Sequence, residues 1–264
     1  MQRKPILLTV DTNEILTDNM RRLTLIGDDL ASYPDVSPGS YIKFLFDFDG
    51  NPVTTPETDR EQTQMRTYTI RALDKANKTL TVDMALHGEG GHSGPASDWA
   101  RRAASGEQIL VGGPGSTKDL PETFDWVIFA GDMTSLPAIA SHLENLPAAT
   151  QGYAVLNITS ENDKQTLRKP DGVEIIWTTD EKVSALSDTV AALEWLPGEP
   201  AAWVACEFSA MRQMRALLRN EKQVTHQSLY ISSYWRQGRS EDQHKLDKRK
   251  DQQDWEARSN EGSN

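Results

Sequence analysis

The 264-residue sequence has a single cysteine, Cys206. An intrachain disulfide is therefore impossible, and a metal or iron–sulfur site built from cysteines alone is excluded. No apolar run approaches the roughly 20 residues that a bilayer-spanning helix needs. The first thirty residues lack a basic stretch followed by an apolar one, so no secretory signal is expected. Net positive charge is missing too: 28 Lys and Arg stand against 39 Asp and Glu, a formal charge of -11. A field of that sign repels nucleic acid and anionic lipid, so an anionic ligand must find a locally basic pocket. No His, Asp or Glu cluster has the spacing of a permanent metal site. The expectation is a cytoplasmic monomer that engages neither nucleic acid nor membrane.

What is present is a chain able to build a core, with 37% hydrophobic and 25% charged residues. Residues 6–17 and 20–26 alternate apolar and polar side chains, as half-buried strands do, with Asp18-Asn19 as turn material between them. Residues 41–48, 66–73, 79–86 and 107–113 repeat that pattern. Six such segments at short spacing predict a small antiparallel β-barrel. A polar excursion over 49–64 and a helical stretch at 95–104 interrupt them.

After Pro121 the rhythm changes. Apolar strands at 126–130, 153–159, 174–177, 202–206 and 229–235 alternate with helical patterns at 134–146, 183–196 and 209–222. That alternation predicts parallel βα units in a doubly wound α/β sheet. The expected division is a barrel over 1–120, an α/β domain over 121–239 and a polar C-terminal helix or tail over 240–264. From Arg236 onward seven Lys and Arg balance seven Asp and Glu, and Trp255 is nearly the only large apolar group. A solvated helix or frayed tail is the preferred reading there, ahead of a partner-docking helix.

The stretch Arg66-Thr67-Tyr68-Thr69-Ile70-Arg71 carries the first chemical hint. Alternate side chains of a strand share a face, so Arg66, Tyr68 and Ile70 project together. A guanidinium and a phenol two residues apart suit one elongated ligand that bears phosphate and a flat heterocycle. Taken alone, the pattern is better explained as a barrel strand with a core tyrosine and a surface arginine. The loop Gly94-Pro95-Ala96-Ser97 alters that balance. Gly94 suits an N-cap and Pro95 the first helical position, which leaves the N–H groups of Ala96 and Ser97 free for an anion such as a pyrophosphate.

The motifs RTYT (66–69), DMALHG (83–88), GPASDWA (94–100), GGPGS (112–116), GDMTSLPAI (131–139), CEFSAMR (206–212) and YWRQG (234–238) resemble, in this order, those of siderophore-interacting proteins. These are flavin-dependent ferric-siderophore reductases within the ferredoxin–NADP⁺ reductase-like superfamily. The resemblance runs from about residue 6 to residue 239. It implies an FAD-binding antiparallel barrel followed by a nucleotide-binding-like α/β domain. It implies that Arg66 pairs with the FAD pyrophosphate, Tyr68 stacks on the isoalloxazine and Thr69 sits near its reactive edge. Asp83 and His87 would line the ribityl or adenosine side, Ala96 and Ser97 would offer N–H groups and the Ser97 hydroxyl to the phosphates, and Thr134 would touch the flavin. For Asp83 and His87 a turn cap and a strand-end histidine stay open as alternatives.

Electron entry and exit follow from the same resemblance. The dinucleotide loop of related reductases corresponds to Ala130-Gly131-Asp132-Met133-Thr134-Ser135-Leu136-Pro137, where only one glycine is present and Asp132 adds negative charge. Ser160 and Lys164 lie in the loop where a 2′-phosphate would be met. Cys206 and Glu207 would stand on the electron-donor side, with a small buried hydrophobe as the other reading of Cys206. Lys43 matches the lysine of a basic group that receives an anionic ferric chelate, and Arg236 is a second candidate. The family's GPRGS arginine is missing from Gly113-Pro114-Gly115-Ser116, and Lys118 is the substitute. The implied activity is FAD-dependent reduction of a ferric siderophore to release ferrous iron in the cytoplasm. Electrons would come from NADH, NADPH or reduced ferredoxin, and no residue need act as acid or base. The alternatives are a general NAD(P)H:flavin oxidoreductase or diaphorase, and a non-catalytic siderophore-binding module.

Overall fold

The computed structural model describes residues 4–56, 60–88 and 94–261. Seven strands form the first sheet: β1 (Ile6–Thr17), β2 (Met20–Ile26), β3 (Tyr41–Phe46), β4 (Gln64–Thr69), β5 (Ala72–Asp74), β6 (Thr79–Ala85) and β7 (Gln108–Gly115). Their spatial order is β4-β3-β7-β1-β2-β6-β5, and every pairing is antiparallel. The expected single strand at 66–73 is two. β4 pairs with β3, whereas β5 pairs with β6 at the far edge of the sheet. The chain makes that crossing at Ile70 and Arg71, whose N–H groups donate to Ser40 O and Thr81 O, each at 2.8 Å. One segment thus supplies both edges of a curled sheet. The result is barrel-like, without a continuous ladder across the seam. Part of the excursion expected over 49–64 lies outside the described residues.

Helix α1 (Pro95–Arg102) plugs this curl. Its Ala96, Trp99 and Ala100 join Leu8, Phe44, Phe46 and Val82 in one buried cluster. The Asn13 amide closes the helix's C-terminal end by donating to the carbonyls of Ala100 and Ala103, at 2.9 and 2.8 Å.

The second sheet is wholly parallel, in the order β10-β9-β8-β11-β12. It comprises β8 (Trp126–Asp132), β9 (Gly152–Asn157), β10 (Val173–Thr178), β11 (Pro200–Glu207) and β12 (Leu229–Trp235). The central strands β8 and β11 are buried on both faces, which is why they read as unbroken apolar runs. Helices α2 (Leu136–Glu144), α3 (Ala185–Ala191) and α4 (Phe208–Ala216) cover the sheet, and α4 runs on through a π-type turn at Leu217–Glu221. The helix expected over 183–196 stops early. Beyond it Trp195 folds back edge-on to Trp126 at 4.7 Å, and Pro197 and Gly198 end any continuation. Among the described residues no helix is long and apolar enough to cross a membrane.

The C-terminal stretch takes the polar helix, one of its two expected forms, but it is not merely solvated. It forms α5 (Glu241–Glu261) and docks on its own chain through polar contacts. Asp251 pairs with Arg215 at 2.8 Å and with Arg212 at 3.3 Å. Lys248 donates to Ser232 Oγ at 2.6 Å, and the buried His244 faces Ser233 O at 3.3 Å. A search for an apolar stripe misses a helix held by charge.

Two polar seams join the sheets. Asp163 accepts hydrogen bonds from Thr17 Oγ1, Asn19 N and Asn19 Nδ2 at 2.7–2.9 Å, tying the loop after β9 to the β1–β2 hairpin. Asp83 takes a bidentate pair from Arg22 at 2.6 and 2.7 Å and lies 3.7 Å from Arg71. Arg71 reaches on to Glu144 at the end of α2, which also meets Arg168 at 3.4 Å. Met20 and Ala85 of the barrel are buried in the same cluster as Phe129 and Leu136 of the second sheet.

Burial alone would raise the Glu144 pKa, but the hydrogen bonds and charge of Arg71, with Arg168, bring it below the ordinary carboxylate value. Stability from this pair is therefore complete above the unfolded carboxylate value of about 4.3 and fades as pH falls through the lower folded one. Glu144→Gln leaves Arg71 short of a partner and should cost about 3 kcal/mol at neutral pH. Urea melts of both proteins across the acid range should show the two curves converging as pH drops.

Candidate functional site

The site is built on β4 and α1. In the β3–β4 register Ile42 faces Tyr68, Lys43 faces Thr67 and Phe44 faces Arg66. The Tyr68 ring packs 5.7 Å from Phe44, which meets Trp99 of α1 edge-on at 5.3 Å. The tyrosine and the helix therefore lie on the same face of the sheet. Tyr68 is half-buried, and burial, then the charge of Glu241, raises its phenol pKa. Thr69 is buried and Thr67 points to the outer side.

Arg66 is held but not neutralised. Its guanidinium donates to Met65 O at 2.9 Å and to Gln64 Oε1 at 2.6 Å, both uncharged, and it has no carboxylate partner among the described residues. The first turn of α1 is similarly open. Gly94 is an extended N-cap without a side chain, Pro95 follows, and the first intrahelical bond is Asp98 N–H to Gly94 O at 3.1 Å. Among the described residues no side chain caps this turn. The His87 ring stands beside it, with Cε1 3.6 Å from where a Cβ on Gly94 would be. Burial and then the Arg101 cation lower the His87 pKa, which favours a neutral ring.

Two expected ligand groups are already engaged. The Ser97 hydroxyl accepts from His87 N–H at 3.1 Å and Arg101 at 2.9 Å, and donates to His87 O at 3.2 Å. Its backbone N–H, and that of Ala96, are what remain for an anion. Asp83 is buried between Arg22 and Arg71, so it positions strands and does not line an open surface.

A second group of expected residues lies at the C-terminal end of the second sheet. Thr134 donates both its N–H and its hydroxyl to Asp132 Oδ1, at 2.9 and 2.6 Å. Glu207 caps α4, accepting from Ser209 N–H and, at 3.2 Å, from Ala210 N–H. Cys206 is completely buried, and burial, reinforced by the charges of Asp132 and Glu207, pushes its thiol pKa well up. It is a packed, protonated thiol. Trp235 had no role in the sequence reading. It is 41% exposed and its Nε1 donates to Asp132 Oδ2 at 2.8 Å. Its position at the end of the last parallel strand was the available signal.

The three candidate cations have different surroundings. Lys43 has no ion pair among the described residues. Arg236 pairs with Asp247 of α5 at 2.6 Å and lies 4.6 Å over the Phe208 ring. Lys118 donates to the carbonyls of His226 and Gln227 at 3.1 and 3.0 Å, so it pins the linker to the turn before β12. Sequence reasoning also missed Glu241. Its carboxylate accepts from Thr67 N at 3.1 Å and Thr67 Oγ1 at 2.8 Å, and pairs with Lys245 at 3.2 Å. The first turn of α5 thus covers the free edge of β4, opposite Lys43. No local pattern in the sequence announces that contact.

Comparison with known proteins agrees with this fold. A family model described as a siderophore-interacting FAD-binding domain matches residues 9–118, and one described as siderophore-interacting protein matches residues 124–238. The chain is 32% identical over 254 residues to ferric vibriobactin reductase ViuB of Vibrio cholerae serotype O1, covering 90% of this chain and 92% of that protein. The crystal structure of siderophore-interacting protein SipS from Aeromonas hydrophila matches with a TM-score of 0.82 at 29% identity, over 95% of this chain and 98% of that one. A ferredoxin–NADP⁺ reductase from Plasmodium falciparum with 2′P-AMP, at 14% identity and a TM-score of 0.63, covers 87% of this chain and 96% of its own and shares the fold.

If the open first turn of α1 receives a pyrophosphate, an internal anion there should compete with it. Gly94→Asp should change stability by no more than about 1 kcal/mol, in the stabilising direction. It should also weaken FAD binding about tenfold or more. Thermal melts of the apoprotein and fluorescence titration with FAD check the two effects separately.

Proposed function

The chain belongs to the siderophore-interacting protein family, and on that premise we propose that it is an FAD-dependent ferric-siderophore reductase. The observation that carries this reading is the pairing of an un-neutralised Arg66 with the uncapped first turn of α1 on the face that also holds Tyr68. A cation and a set of backbone donors suit the two ends of a pyrophosphate, and a half-buried aromatic suits a flat ring beside it. FAD is the cofactor that joins both features and that the matched domain family binds. The residues present fit it: Arg66 and the Ala96 and Ser97 N–H groups would hold its phosphates, Tyr68 and Thr69 its ring system, and the neutral His87 its ribityl or adenosine side. On this reading residues 1–120 form the FAD-binding unit, 121–239 the α/β unit and 240–264 a polar C-terminal segment whose helix α5 straps the two.

Bound FAD would supply the redox chemistry: two electrons taken up, then passed one at a time to two ferric chelates with release of two protons. The iron is substrate. Ferric iron prefers hard oxygen ligands, and the ferrous ion formed is held less tightly by such a cage, so reduction is release. The chain's own contribution is binding, orientation and charge. Lys43, beside Thr67 on the strand adjoining β4, would receive an anionic chelate despite the net charge of -11. Arg236 and Lys118 have partners in this structure and would have to leave them to take part.

Anaerobically reduced, FAD-loaded protein should reoxidise on addition of a ferric siderophore, with ferrous iron captured by a chromophoric chelator. Reduced flavin that persists in excess ferric siderophore would sink the reading. Arg66→Ala should lower FAD affinity about ten- to a hundredfold, the worth of a charge-assisted hydrogen bond. Lys43→Ala should keep FAD yet weaken the anionic chelate about three- to tenfold at low salt, an effect that shrinks as salt is added.

A further inference from the structure

A doubly wound sheet receives a dinucleotide where neighbouring strands diverge, here between β8 and β11. The pyrophosphate meets backbone N–H groups at the turn after the first strand, and the adenosine ribose lies past the end of the second. Both places can be followed donor by donor in this chain.

In the turn after β8 most backbone donors are spent inside the chain, and the two left over, the N–H groups of Met133 and Leu136, belong to buried residues. Thr134 N–H donates to Asp132 Oδ1 at 2.9 Å and Ser135 N–H to Asp132 O at 3.0 Å. Pro137 has no N–H, and those of Ala138 and Ile139 both go to Ser135 O at 3.0 Å. The residues themselves are covered: Met133, Ser135 and Leu136 are all buried. The one glycine gives no approach to a ligand. A Cβ on Gly131 would fall 1.9 Å from Ser135 Oγ and 2.8 Å from Ala205 O, so this glycine exists to let the turn close on β11. Asp132 then fills the remaining space. Its carboxylate also accepts from Glu207 N–H and Trp235 Nε1, each at 2.8 Å, so one internal anion ties together the ends of β8, β11 and β12.

The loop after β9 is closed in the same manner. Asp163 accepts from Ser160 N–H and Oγ at 3.0 and 3.3 Å as well as from Thr17 and Asn19 of the barrel hairpin. Asn162 donates to Asp18 at 2.8 Å, which adds a second tie. Lys164, the cation expected to meet a 2′-phosphate, is paired with Glu161 at 2.5 Å.

We infer that the second domain, though doubly wound, does not hold NADH or NADPH by pyrophosphate or adenosine, because Asp132 and Asp163 occupy those two positions as built-in anions. This rests on the reductase reading only for its meaning; the binding claim stands by itself. The domain serves as a rigid wall to the flavin cleft. Either dinucleotide then meets the flavin only by collision.

The test is anaerobic stopped-flow reduction of the FAD-loaded wild-type protein by NADH and by NADPH. The expected result is a rate that rises linearly with concentration past about 1 mM, the upper end of ordinary KM values. The two dinucleotides should show no preference, and neither ADP-ribose nor 2′,5′-ADP should slow the reaction. Saturation below about 1 mM with competition by either fragment would overturn the inference. Dithionite-reduced protein, mixed separately with ferric siderophore, tests the reductase reading without any dinucleotide. Failure there leaves the binding result intact, and failure of the binding result leaves the reductase reading intact.

Discussion

The structure depends on where the buried carboxylate of Asp83 can be placed. It stands in the barrel wall with Arg22 on one side and Arg71 on the other, and Arg71 continues to Glu144 of the second domain. A buried charge is tolerable only with its partners in position. Arg71 lies two residues past the strand that carries Arg66 and Tyr68, at the corner where the chain passes from one edge of the sheet to the other. The same residue therefore sits at the seam of the curled sheet and ties the candidate flavin strand to α2.

Charge within the molecule is distributed by use. The large acidic excess is not simply a solvated coat, since Asp132, Asp163 and Glu207 sit at the ends of the second sheet and satisfy backbone donors there. Each of these is an anion supplied by the chain where a nucleotide-binding fold commonly leaves room for one from outside. Helix α1 is the contrast. Glycine and proline at its start bring no capping side chain of their own, and among the described residues no side chain caps its first turn. On the proposed reading the chain is open to an external pyrophosphate on the barrel side and closed to one on the other.

Helix α5 follows the same logic. It has no apolar stripe, yet Asp247, Asp251 and Lys248 find partners on α4, β12 and the loop beyond, and Glu241 reaches the outer edge of β4. An edge strand offers unpaired N–H groups that must be covered, and a carboxylate from the other domain covers one of them. The strap links the candidate flavin strand to the second domain from outside, as Arg71 and Glu144 do from inside.

Periodicity alone determined the two-part architecture, since alternation of two and apolar runs between helical patterns reflect burial on one face or on both. The strand at 229–235 and the helix start at Pro95 were legible to the residue because turn and cap chemistry is local. Arg66, Tyr68 and the Gly94 turn were legible as candidates for the same reason. The split of 66–73 into two strands was not, because it depends on which distant strand each half pairs with. Nor was the engagement of Asp83, Ser97 and Arg236, or the filling of the β8 turn by Asp132. A side chain's type shows what it can bond to, but only the tertiary structure decides whether that capacity is spent inside the chain or left for a ligand. Contacts such as Thr17 to Asp163, 146 positions apart, have no local signature.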